Sequence, residues 1–160
     1  MTGMVLTKLK ITPSVLKFGL NWFFPPWIGA GIRMQEISQD FRRVRVVMPL
    51  RFYNRNYVGS HYGGSLYSMC DPIYMLQLLN ILGPEFIVWD MAATIAYKKP
   101  GKSTVHADFV IEDDLIDSLV RLKPDEKRIF DLSVDVKDEG GKLVATVIKT
   151  TYVKRKPSTT

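Results

Sequence analysis

The sequence holds a single cysteine, Cys70, and two histidines, His61 and His106. One thiol cannot close an intramolecular disulfide or build a cysteine-based zinc site, and two imidazoles are too few for a histidine-rich centre, so no metal is expected. The scarcity of cysteine suits a reducing compartment. Long hydrophobic runs are missing too. The apolar stretch from Val15 to Ile28 is broken by Lys17, Asn21 and the Pro25-Pro26 pair, and falls short of the roughly 20 apolar residues of a spanning helix. No unbroken apolar run with a small-residue cleavage site marks a secretory signal. The expectation is a cytoplasmic protein. Internal repeats and low-complexity linkers are also absent, which excludes a repeat array.

What is present is an ordinary globular composition, 46% hydrophobic and 24% charged over 160 residues, enough for one domain with a sizeable core. The formal net charge of +6 favours anionic partners, whether a phosphorylated group, an acidic lipid surface or nucleic acid. No basic recognition helix or RNA-binding aromatic motif accompanies it, so nucleic acid is not expected.

Thr12 followed by Pro13 reads as a helix N-cap with proline in the first turn, and Pro25-Pro26 closes that helix. Its apolar residues are expected to pack on exposed sheet, because apolar faces are core far more often than anchors; capping an acyl tunnel is a second use, and membrane contact is not expected. Strands are expected at Ile32–Ile37 and Phe41–Leu50, the latter with Arg43 and Arg45 on one face and Val44 and Val46 on the other. Leu66–Leu82 is nearly uncharged and too long for a strand, so it reads as a buried helix stopped by Gly83-Pro84. Strands at Phe86–Tyr97 and Thr104–Ile111, a short amphipathic helix at Asp113–Leu122, and strands at Ile129–Val136 and Leu143–Val153 follow, the last two joined by an Asp138–Gly141 hairpin turn. One buried helix and a mostly antiparallel sheet make an α+β fold in which the sheet must curl around the helix.

Asp71 is the most informative residue, because an ionised carboxylate inside the apolar run Leu66–Leu76 is costly unless paired, solvated or used. It is either an N-cap, with Pro72 opening a second helix, or a functional acid whose pKa an apolar cavity raises towards that of a general base. If the helix runs through, Pro72 removes the bond to the Ser68 carbonyl and kinks it. Gly63-Gly64 at the helix start offers free N–H groups, or simply a tight turn. Asn56 and Asn54 read first as turn formers. Asp90, between Trp89 and Met91 in a strand, is either an outward carboxylate or a second acid. Lys98, Lys99 and Lys102 form a basic rim at a strand end, with Lys154-Arg155-Lys156 a second cluster.

Asn56-Tyr57-Val58-Gly59-Ser60-His61-Tyr62-Gly63-Gly64, with Asp71 seven residues after the second glycine, resembles the signature of the hydroxybenzoyl-CoA and phenylacetyl-CoA thioesterases. Those proteins have the hotdog fold, a curled sheet around one long central helix. Tyr97-Lys98-Lys99-Pro100-Gly101 is similar to their strand-end motif, and Gly63–Tyr67, Asp71-Pro72, Val88-Trp89-Asp90 and Lys98–Gly101 together resemble a bacterial branch of hotdog proteins of unassigned function. The resemblance implies a single hotdog domain with its core at 32–154 and an extra N-terminal helix with its lead-in over 1–30. It implies hydrolysis of an acyl-CoA or acyl-carrier thioester without a cofactor. Asp71 would activate water or attack the thioester, Gly63 and Gly64 would bind the oxyanion, and Asn56 would position water or the carbonyl. His61 would assist, and Asp90 would either assist Asp71 or raise its pKa by like-charge repulsion, while Tyr67, Lys98, Lys99 and Lys102 would meet the substrate. It also implies a homodimer or a dimer of dimers. Two positions depart from the pattern: Tyr62 stands where the family has histidine, which His61 shifts one place back, and Pro72 follows the acid. A non-catalytic acyl binder in the same groove is the alternative; a hotdog hydratase, which pairs an acid with a histidine, fits the His61 spacing less well.

Overall fold

In the computed structural model, which describes residues 11–157, the chain begins with α1 (Pro13–Phe23) and α2 (Pro25–Ala30) and enters β1 (Arg33–Ile37) and β2 (Arg43–Met48). Then come α3 (Gly63–Ser68), α4 (Ile73–Leu82), β3 (Phe86–Tyr97), β4 (Val105–Val110), α5 (Asp113–Val120), β5 (Lys127–Asp138) and β6 (Leu143–Arg155). The six strands form one antiparallel sheet in the order β1-β2-β4-β5-β6-β3. β5 and β6 make a long hairpin whose turn puts Gly141 at φ 75°, a left-handed conformation suited to glycine. β4 and β5 pair only from Val105 to Ala107, and α5 occupies the chain between them.

The strands fall where the alternation places them, with Val44 and Val46 buried against Arg43 and Arg45 on the other face of β2. The expected central helix is present but broken: α3 ends at Ser68 and α4 starts at Ile73. Pro72 has no N–H to give the Ser68 carbonyl, so a continuous helix would leave that carbonyl bare. The buried Trp27 indole donates to it at 3.1 Å. Pro25-Pro26 closes α1 as expected and also opens α2, a short helix absent from the sequence expectation; α2 exists to deliver Trp27 to that break. No residue of α4 is exposed. Tyr74 stacks edge-on against Phe109 of β4 and donates to the Ser133 carbonyl of β5, so α4 lies across the inner face of the sheet.

α1 corrects the expectation for its faces. Leu20 and Phe24 lean on the core, but the residues that meet the sheet edge are polar. Lys17 Nζ donates to the Gln35 carbonyl, and the Asn21 amide both donates to and accepts from the Met34 backbone at 3.0 and 2.7 Å. An edge strand presents unpaired backbone groups that need such partners. Satisfying β1 this way turns Val15, Phe18 and Trp22 out to solvent.

Candidate functional site

The helix break places Asp71 opposite β6. Its Oδ1 accepts from Tyr67 Oη at 2.6 Å and from Lys149 Nζ at 2.7 Å. The carboxylate therefore does not cap α4, which has no side-chain cap. Lys149 is 1% exposed, and its ammonium also reaches Asp90 Oδ2 at 2.8 Å and Tyr67 Oη at 3.2 Å. Three N–H donors thus meet three acceptors, which is what a buried ammonium requires. Asp90 comes from β3, where a bulge between Asp90 and Ala92 shifts the register against β6; its Oδ1 accepts from Thr151 Oγ1 at 3.2 Å. Two carboxylates, one ammonium and one phenol leave a net charge of −1. Asp71 is about half exposed, and its Oδ2 has no hydrogen-bond partner among the described residues.

The expected upward shift of the Asp71 pKa is overturned. Partial burial opposes its charge, but the hydrogen bonds from Lys149 and Tyr67 outweigh burial and lower the pKa below 3.8. Asp90 does not act on it as a bare like charge, because Lys149 sits between the two. Burial would push Lys149 down, yet its bonds to Asp71, Asp90 and Tyr67 raise it. Burial and the bond to Asp71 raise the Tyr67 phenol. The neighbouring Cys70 thiol is fully buried, and burial pushes its pKa well up.

The other residues singled out from the sequence gather in a second place, a groove of about 560 Å³ lined by Asn56, His61, Gly63, Gly64, Lys98 and Lys99 among others. Asp71, Asp90 and Tyr67 do not line it, and neither does Lys102. The Asn56 amide builds the loop beside it, donating to Ser60 Oγ and the His61 carbonyl and accepting from the Val58 and Ser60 N–H groups. Asn54 ties α2 to the end of β2 through the Ala30 and Pro49 carbonyls. Gly63 and Gly64 open α3 with N–H groups that find no protein acceptor within the helix. A Cβ on Gly63 would come within 2.8 Å of the Tyr97 hydroxyl, so the glycine lets this ring close over the helix start. Lys99 is paired with Asp138, whereas Lys98 and Lys102 are exposed. A larger cleft of about 740 Å³ between α1 and strands β1, β2 and β4 carries none of these residues. Among the described residues no group of three or more His, Cys, Asp or Glu comes together to hold a metal ion.

His61 fastens the groove. It is buried, its N–H donates to the Gly101 carbonyl, and Nε2 donates to the Ser103 carbonyl at 2.9 Å. Its Nδ1 is buried without a partner, so protonation would create a buried N–H with no acceptor, and burial holds its pKa below 6.5. A lowered folded-state pKa contributes stability that is present above the unfolded value and lost as pH falls through the folded one. The urea midpoint of the wild type is therefore expected to fall as pH drops below about 6.5, and a His61→Gln variant to lack that component. A midpoint equally flat in both proteins over this range would contradict the assignment.

Lys149 is the residue that sequence reasoning missed. Its signal was present: Ala145, Val147, Lys149, Thr151 and Val153 alternate along β6, and all five are buried. A lysine on the inward parity of a strand, in a chain with an aspartate in its apolar helix, marks a buried pair.

A six-stranded antiparallel sheet holding a broken central helix, with an acid just past the first helical segment, defines this chain as a hotdog-fold protein. It belongs to the family described as a domain of unknown function (DUF4442), whose profile matches residues 13–153. Among solved structures it is similar to a protein of unknown function from Pseudomonas aeruginosa named a probable thioesterase, with 20% identity and a TM-score of 0.73, over 89% of this chain and 96% of that one. It is similar to a thioesterase from Haemophilus influenzae at 17% identity and a TM-score of 0.66, over 89% and 90% of the two chains. A protein of unknown function from Chlorobaculum tepidum shares the fold at 14% identity and a TM-score of 0.70, over 92% and 99%. No curated protein matches the sequence.

Proposed function

We propose that the protein hydrolyses an acyl thioester, of coenzyme A or of an acyl carrier, with Asp71 as the acting carboxylate. The observation that carries this reading is the geometry of that side chain. Oδ1 is fixed by Lys149 and Tyr67, and Oδ2 is left free on a half-exposed group. Fixing one oxygen orients the other without desolvating it, which is the arrangement a positioned base or nucleophile needs. Because the pKa is lowered, Asp71 is a weak base that stays ionised, which favours direct attack of Oδ2 on the thioester carbonyl. That attack forms a mixed anhydride and expels the thiolate, which takes a proton from water. Hydrolysis of the anhydride then releases the acid and restores Asp71. By resemblance to the hotdog thioesterases, whose site forms between two subunits, the Gly63 and Gly64 N–H groups of a second copy would receive the oxyanion, since within one chain they line a groove apart from Asp71; such an interaction is worth about 2.7–4 kcal/mol per donor. Lys98 and Lys102 are free of ion pairs among the described residues and are available for the phosphates of the carrier.

Self-association belongs to the same reading. β3 is an edge strand paired only with β6, and from Met91 to Tyr97 every residue but Ile95 is exposed. A long open edge with apolar side chains is suited to pairing with a second copy.

The test is thiol release from short, medium, long and aromatic acyl-CoAs by the purified wild type, with turnover of at least one class expected. No release from any class, together with an acyl ligand co-purifying by mass spectrometry, would instead support a non-catalytic acyl binder. The neutralisation of Asp71 by Lys149 is what speaks for that second reading.

A further inference from the structure

We propose that the outward face of α1, extended by α2, is a docking surface for an anionic phospholipid bilayer. Lys17 and Asn21, four residues apart on one stripe, are committed to the backbone of β1. The stripe left over is Val15, Phe18 and Trp22, spaced as successive turns of one helix face, with Ile11 just ahead of the helix and Phe23 and Ile28 continuing it towards α2. All six are exposed, Phe18 by 58%, Trp22 by 62% and Phe23 by 71%. Phe18 and Phe23 pack on each other, centroids 5.5 Å apart, and away from the core. A contiguous aromatic patch of this kind on a folded protein marks an interaction site.

Charge decides the occupant. Among the described residues before Glu36 the charged side chains are Lys17 and Arg33, and none is Asp or Glu. The Arg33 guanidinium lies over the Trp22 ring, 5.1 Å from its centroid, at the border of the patch. A second copy docking on the same face would bring two acid-free, cation-bearing patches together. An anionic lipid surface meets them with opposite charge, while Trp and Phe enter the headgroup boundary. The binding is peripheral, since no described helix is long and apolar enough to cross a membrane. It also leaves the β3 edge free, because β1 and β3 are the opposite edges of the sheet. The proposal is independent of the thioesterase reading and stands or falls without an activity assay.

The experiment is co-sedimentation of the full chain with vesicles of phosphatidylcholine alone and of phosphatidylcholine containing phosphatidylglycerol. The wild type is expected to pellet with the anionic vesicles, more weakly at high salt, and to remain in the supernatant with the neutral ones. The Phe18→Ser/Trp22→Ser double variant changes only exposed side chains, should keep its thermal midpoint, and should partition at least about tenfold less. Arg33→Gln, which removes the cation at the border of the patch, should lower partitioning by roughly fivefold. A wild type that stays in solution with anionic vesicles overturns the proposal. So does a wild type that fails to pellet and shows by light scattering a larger mass than Phe18→Ser/Trp22→Ser, which would assign the face to a second copy.

Discussion

Lys149→Met is expected to destabilise the protein by about 3 kcal/mol or more, because removing one partner of a buried ion pair strands the charges it served. Methionine fills the volume of the lysine stem but leaves Asp71 and Asp90 facing each other with no cation between them. The figure sits at the lower end of the usual range because Asp71 is half exposed and water can recover part of its solvation. The urea midpoint should fall with little change in the slope, the sign of lost stability in an otherwise similar fold. Adding Asp71→Asn and Asp90→Asn to Lys149→Met should recover a large part of the loss, since neutral amides remove the repulsion; a triple variant no more stable than Lys149→Met would sink the ion-pair account. The pH dependence follows from the two shifts. Asp71 is lowered, so its contribution is present above its ordinary 3.8 and disappears as pH falls through the folded value. Lys149 is raised, so its contribution is present below 10.5 and disappears as pH rises through the folded value. The gap between wild type and Lys149→Met should therefore be widest near neutrality and close as the solution becomes strongly acidic or strongly alkaline.

This pair also shows where sequence reasoning stops. The strands were legible because each carries a period-two pattern bounded by turn residues, and β3 runs over the expected Phe86–Tyr97. Asp71 was legible as an anomaly, a carboxylate in an apolar helix. Its partner was not, because Lys149 lies 78 residues away on β6, and only the packing of helix on sheet brings the two together. The sequence offers a second helix opened at Pro72 or a kink, so an irregular backbone there is legible; that a tryptophan from α2 serves the orphaned Ser68 carbonyl is not, since α2 has only six residues. The orientation of α1 failed for a different reason. Apolar periodicity identifies which residues share a face, but Lys17 and Asn21 share the opposite one, and the unpaired backbone of β1 claimed it. Of the candidate residues, Asn56, His61, Gly63, Gly64, Lys98 and Lys99 line one groove, whereas Asp71, Asp90 and Tyr67 form a separate cluster.

Asp71→Asn is expected to lower kcat/KM for thiol release by on the order of 10²–10⁴ while changing stability little, and it separates chemistry from structure better than any other substitution here. Asparagine keeps a carbonyl oxygen where Oδ1 accepts from Tyr67 and Lys149, and Lys149 retains Asp90 as its counter-ion. What it loses is the ionised Oδ2. The lowered pKa sharpens the expectation: the wild-type rate should rise with pH only below 3.8 and stay level through neutrality as far as this group governs it. A rate that instead climbs between pH 5 and 7 would mean that Asp71 is not the titrating group. Full activity in Asp71→Asn would remove it from the chemistry and leave Asp90, held by Lys149 and Thr151, as the next carboxylate to vary. If the variant is inactive, a single turnover in heavy-oxygen water tests for the covalent role. Attack by Oδ2 followed by hydrolysis at the acyl carbon places the label only in the released acid, while hydrolysis at the aspartyl carbon places it on Asp71. Label on Asp71 thus requires a covalent intermediate, whereas a base-activated water can never put it there.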